Sequence, residues 1–130
     1  VFTLSVKDEN FAGKILNELL VKFKSKTITI RELIEARVRG EVEVYNTQRP
    51  AYYNGLVDPT DSEKTINGLK LHSRKQIDAE KQVYVALDAF QKNGFFVLVD
   101  DAQCTSLDQE IELHDDTHIS FVKLTPLVGG

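Results

Sequence analysis

The chain opens on an alternation. Phe2, Leu4 and Val6 fall on one side and Thr3, Ser5 and Lys7 on the other, which predicts a half-buried strand over residues 1–7. Asp8, Glu9, Asn10 and Gly13 supply turn residues, and a second alternating stretch follows over 14–24, so the two are expected to form a hairpin. Thr29 with Glu32 three positions later reads as a capping box. Ile30, Leu33, Ile34, Val38, Val42 and Tyr45 then recur at helical spacing, predicting a helix over 29–45. Arg31, Glu35 and Arg39 stand four apart on its polar side, and Gly40 sits inside it. A glycine there weakens a helix by about 1 kcal/mol, and either a close approach of helix to sheet or tolerated drift would account for it.

The periodicity lapses over 46–72, where Pro50, Asn54-Gly55, Asp58-Pro59 and Asn67-Gly68 break the chain. This stretch reads as an insertion, and long insertions are commonly functional. A second helix is expected over 73–92, with Ala79, Val83, Ala86, Leu87 and Phe90 on one face and Asn93-Gly94 as its stop. The apolar run 95–99 predicts a strand buried on both faces, and 110–113 and 118–124 two more, with Leu107 plugging the core between them. The order is therefore β-β-α-insertion-α-β-β-β: an α+β fold in which a helix packs on one face of a mixed sheet.

At 130 residues the chain is expected to be a single domain spanning 1–130, large enough to bury a core without metal or disulfide. Sixteen Lys and Arg against twenty Asp and Glu leave a net charge of −4 with no basic run, which argues against nucleic acid as a partner. No apolar run approaches the length of a membrane span. With one cysteine, nothing asks for an oxidising compartment, and the cytoplasm is the expected location.

The segment after the last strand, Thr125-Pro126-Leu127-Val128-Gly129-Gly130, is expected to be a flexible tail. Two successive glycines retain the most backbone freedom and no side-chain bulk. Such a tail could thread a narrow channel and offer its carboxylate to an activating enzyme. By alternation, Ile119 and Phe121 face the core, leaving His118, Ser120 and Val122 outward with Leu124 nearby, and with Leu127 and Val128 these form a candidate partner-binding surface leading to Gly129 and Gly130.

The stretch from Asp116 to Gly130, an acidic turn followed by a last strand with an aromatic, a proline-containing segment and Gly-Gly, resembles the end of ubiquitin-like β-grasp proteins. It resembles in particular the bacterial branch that includes the sulfur carriers of thiamine and molybdopterin synthesis. Residues 1–46 and 93–130 follow that pattern, while 47–92 depart from it as an insertion with an extra helix. The resemblance implies a protein without catalysis or intrinsic cofactor, whose Gly130 carboxylate is adenylated by an E1-like enzyme using ATP. The acyl group would then pass to a cysteine and on to a target lysine as an isopeptide. An E2-like enzyme and a processing peptidase are further implied partners. The decorated body is similar to modifiers of bacterial conjugation operons, some tied to antiphage defence. Two alternatives stand beside this: a sulfur carrier ending as a Gly130 thiocarboxylate, and a non-conjugated binding module acting through 46–72.

Other residues carry weaker chemistry. His114 and His118 with Glu112, Asp115 and Asp116 have metal-ligand chemistry, but a strand-turn-strand would spread them, so no metal is expected. His72 has no partner visible in sequence. Cys104 lacks a neighbouring His signature and reads as a small buried apolar residue. Tyr52-Tyr53 would either anchor a partner or fold back over the core. No Walker A, GxSxG or HExxH motif occurs.

Overall fold

The computed structural model describes residues 2–53, 55–59, 62–65, 68–71 and 76–124. The first alternation forms β1 (Phe2–Glu9) and the second β2 (Ile15–Phe23). They pair antiparallel from Phe2 opposite Phe23 to Glu9 opposite Ile15, with a bulge at Asp8/Glu9. The hairpin turn is built by Asn10, whose side-chain oxygen accepts the Ala12 and Lys14 amides, and by Gly13 at φ +82, a value only glycine adopts freely.

After β3 (Thr27–Thr29), the capping box forms as expected. The Thr29 hydroxyl accepts the Glu32 amide, the Glu32 carboxylate accepts the Thr29 amide, and α1 runs Ile30–Gln48, past the expected end at residue 45. Arg49 at φ 51 closes it. The insertion is not structureless, since β4 (Ser62–Thr65) and β5 (Gly68–Leu71) form an antiparallel hairpin of their own. Helix α2 (Ala79–Gln91) starts later than the expected residue 73. Before it, the Asn46 side chain on α1 holds both the amide and the carbonyl of Ile77, and the extended Asp78 then caps α2 by accepting the Lys81 amide.

The C-terminal half supplies β6 (Phe95–Val99), β7 (Ala102–Cys104), β8 (Glu110–Glu112) and β9 (Ile119–Lys123). Asp100 and Asp101, both at positive φ, make the two-residue β6–β7 turn, the geometry that matches strand twist. Strand β7 was not legible in the sequence. The main sheet has the order β2-β1-β9-β6-β7. Its central pair, β1 and β9, is parallel, and the other pairs are antiparallel. Strand β8 does not join this sheet as the linear order suggested; it pairs with β3. A hairpin, a helix laid across one sheet face, and a last strand inserted parallel to the first constitute the β-grasp arrangement, carrying here a second helix and an extra hairpin.

The core lies between the sheet and α1. Leu4, Val6, Val21, Phe23, Val97, Ile119 and Phe121 descend from the strands onto Ile30, Leu33, Ile34, Val38 and Val42, all buried. Phe90 of α2 extends it through Phe95, centroids 5.9 Å apart, to Phe121. Leu107 is buried as expected. The run 95–99 departs from expectation: Phe95 and Val97 are buried, whereas Phe96 and Leu98 are only half-buried on the outer sheet face. No helix among the described residues is long and apolar enough to cross a membrane.

Candidate functional site

The sheet face opposite α1 carries the outward positions of β9. Val122 pairs across with Glu9 on β1 and Phe96 on β6, so Ile15, Glu9, Val122 and Phe96 form one outward row across four strands. The Asn10–Gly13 turn lifts Phe11 beside this row, its ring 6.0 Å from Phe96 at 59°. Phe11 is 70% exposed, Ile15 49% and Leu124 38%. The result is a largely apolar patch at the end of the sheet where β9 finishes, crossed by Glu9 and flanked by Lys7 and Glu18. His118 lies at the other end of β9, about 20 Å from Leu124 at strand rise. Its amide donates to Asp100 there, so it stands apart from the patch. Leu127, Val128, Gly129, Gly130 and His72 lie outside the described residues.

Phe11, Ile15 and Phe96 were not among the residues expected here. Phe96 was obscured because a continuous apolar run hides which residues face out. Phe11 was obscured because a turn has no period to read.

On the helix side of the same sheet end lies a polar network. Asp8 pairs with Phe121 in register and points inward. Its carboxylate meets the Arg37 guanidinium in a two-pronged pair, one prong Nη2 to Oδ2 at 2.7 Å, with both side chains essentially inaccessible. The guanidinium lies 4.6 Å from the Phe121 ring centroid and donates through Nε to Glu41 at 3.3 Å. Glu41 accepts the Leu56 amide at 3.0 Å and the Tyr53 hydroxyl at 3.4 Å. Lys123 donates to the Gly55 carbonyl at 2.7 Å, and Gln82 to the Val57 carbonyl. Side chains from α1, α2 and β9 thus fasten residues 53–57.

Burial sets the electrostatics. Desolvation raises the Glu41 carboxyl above its ordinary value, against the opposing pull of Arg37. Asp8 and Glu41 hold Arg37 charged despite burial, and desolvation lowers the Lys123 ammonium. Tyr53, buried and pushed far above the ordinary phenol value by desolvation, stacks edge-on against Tyr45 at 5.3 Å. It therefore folds back on the core, while Tyr52 is at the surface.

Cys104 is buried at the end of β7 and its thiol is raised by desolvation, which disfavours the nucleophilic thiolate. His114 and His118 are exposed, flanking a turn in which the Thr117 hydroxyl accepts the His114 amide. Among the described residues no group of three or more His, Cys, Asp or Glu is arranged to hold a metal ion. Comparison with protein-family models, with curated proteins and with solved structures gave no match.

Proposed function

We propose that this chain is a ubiquitin-like modifier activated at the Gly130 carboxylate. A carboxylate oxygen attacks the α-phosphorus of ATP on an E1-like enzyme, expelling pyrophosphate. A cysteine thiolate then displaces AMP to give a thioester, and a target lysine amine displaces the thiol to give an isopeptide. The chain contributes a substrate tail and a docking face and performs no catalysis.

The observation that carries this reading is the outward apolar group of Ile15, Val122, Phe96 and Phe11, crossed by Glu9, at the end of the sheet where β9 finishes, seven positions before Gly130. An activating enzyme must hold the body while its active site takes the carboxylate. Aromatic anchors within an exposed apolar surface suit that task. The central parallel β1–β9 pair supports it further, since it fixes the last strand rigidly in the sheet.

The test is ATP-dependent activation by an E1-like enzyme. Pyrophosphate exchange and a reducible thioester are expected, lost on deletion of Gly129 and Gly130. Val122→Arg, whose side chain sits on the outer face, should weaken activation about tenfold while leaving the far-ultraviolet spectrum unchanged. Full activation of Val122→Arg would sink the docking face. Absence of any Gly130 adduct with an active enzyme would sink the modifier reading and favour a binding role for residues 46–72. An intact mass showing one oxygen replaced by sulfur would assign a sulfur carrier instead.

A further inference from the structure

The sheet has two edges of unequal character. Strand β7 has three residues and β2 has nine. A short edge is protected by its brevity, whereas a long one presents a row of unpaired amides and carbonyls to any complementary strand. Strand β2 contains no proline, and its bulge lies only at one end, near Ile15. Its outward residues include Leu20, at 75% the most exposed large apolar side chain among the described residues.

We propose that two copies of this chain associate by pairing their β2 strands antiparallel about a twofold axis centred on Leu20. The register follows from the strand's own sequence. With Leu20 opposite Leu20, Glu18 of each copy stands opposite Lys22 of the other, Leu19 opposite Val21, and Asn17 opposite Phe23. Moving the centre to Glu18 sets Glu18 against itself. Moving it to Leu19 or Val21 sets Leu20 against Glu18 or Lys22. Only the Leu20-centred register covers the exposed leucine with its own mate and forms two opposite-charge pairs at once, each of the kind that stabilises facing strands. Lys22 would repel many foreign strands from this edge, but it is complementary to the strand that carries it.

The surroundings leave room for such a mate. An open trough of about 1010 Å³ runs beside β2, lined on the helix side by Gly40, Val44 and Tyr45 and on the strand side by Leu19, Leu20 and Lys22. Val44 is 51% exposed, and a Cβ at Gly40 would meet nothing within 4 Å. The close helix-to-sheet approach expected from that glycine is thus absent within one copy. The open space instead lies on the side where a second molecule would arrive. Glu18 is already held on the strand surface by the Ser5 hydroxyl at 2.9 Å.

Sedimentation of the full chain over a range of concentrations tests this, together with cysteine cross-linking. A concentration-dependent dimer is expected. Leu20→Lys, on an exposed position that spares the fold, should abolish it. Glu18→Lys should weaken it about tenfold or more by setting lysines face to face, and the swap Glu18→Lys with Lys22→Glu should restore it. Leu20→Cys should oxidise to a disulfide-linked dimer, because facing Cα atoms lie about 4.5 to 5.5 Å apart. Glu18→Cys should not, because the two copies of that position are offset by about 13 Å. A chain that stays monomeric into the millimolar range would overturn the proposal, including one that instead accepts a foreign peptide at this edge. So would a dimer indifferent to Leu20→Lys and Glu18→Lys, or equal cross-linking at positions 18 and 20. The proposal rests on β2 alone and stands or falls independently of activation at Gly130.

Discussion

Replacing Asp8 by Ala removes one side of the buried ion pair beneath β9. In the native fold, Arg37 is wholly buried and makes two charge-assisted bonds to Asp8. Without Asp8, the guanidinium keeps only Glu41 at 3.3 Å and the Phe121 ring. Removing one partner of a buried pair costs about 3–5 kcal/mol. Glu41, which can share the charge, should hold the loss near the lower figure. Against a total stability of about 5–15 kcal/mol, such a change is severe. It should lower the midpoint of thermal unfolding by about 10–15 °C for a chain of this size. The informative companion is Asp8→Leu combined with Arg37→Met, which removes both charges and fills their space with apolar atoms. Because the desolvation of both ions disappears, this double variant should be far more stable than the sum of the single losses. Urea unfolding followed by circular dichroism measures Asp8→Ala, the singles Asp8→Leu and Arg37→Met, and their double variant. A loss below about 1 kcal/mol for Asp8→Ala, or strict additivity in the pair, would refute the assignment of this contact as a buried, mutually compensating ion pair.

The remaining predictions use urea unfolding, a pH series of it, and hydrogen exchange. Gly40→Ala should stabilise a monomeric sample by about 1 kcal/mol, because the position is helix interior and the added Cβ meets nothing; a loss would reveal a contact there. Thr29→Ala breaks the capping box and should cost about 1 kcal/mol, and an unchanged midpoint would count against the cap. Because burial raises the Glu41 carboxyl above its ordinary 4.5, the folded state holds that proton more tightly than the unfolded chain. Its contribution to stability is full below pH 4.5 and is lost as pH rises through the raised value. Glu41→Gln should flatten that decline across a pH series of urea titrations, and an unaltered slope would sink the linkage. Since Glu41 also accepts the Leu56 amide, Glu41→Ala should speed hydrogen exchange at Leu56 while leaving β1 and β9 protected.

Much of the architecture was legible because its signals are local. The alternation of Phe2, Leu4 and Val6, the Thr29–Glu32 box and the Asn93-Gly94 stop each act within a few residues, and each marks an element the structure contains. What escaped depends on partners distant in sequence. Strand β3 is three residues long and exists because β8 pairs with it, which no periodicity announces. The late start of α2 depends on Asn46 holding Ile77 across 31 positions. In the candidate site, the outward placement of Val122 could be read by alternation. The contributions of Phe11 and Phe96 required knowing that β6 lies beside β9 and that Phe96 points to the outer face.

The buried ion pair left a trace in the sequence, though only in retrospect. Asp8 continues the inward series Phe2, Leu4, Val6, and Arg37 falls on the apolar face with Ile30, Leu33, Ile34 and Val38. A charged residue on a buried face is costly alone, so opposite charges on the buried faces of two neighbouring elements imply each other. That pairing also explains how the insertion coexists with the grasp. Arg37 engages Asp8 on the sheet and Glu41 one turn along the helix, and Glu41 in turn holds Leu56 and Tyr53. Lys123, at the end of β9, reaches the same loop at Gly55. The segment that departs from the simple hairpin-helix-strand plan is therefore fastened to the two central strands by the charges those strands bury. A change in residues 53–57 should then be felt at the end of β9, next to the outer patch, through Asp8, Phe121 and Lys123.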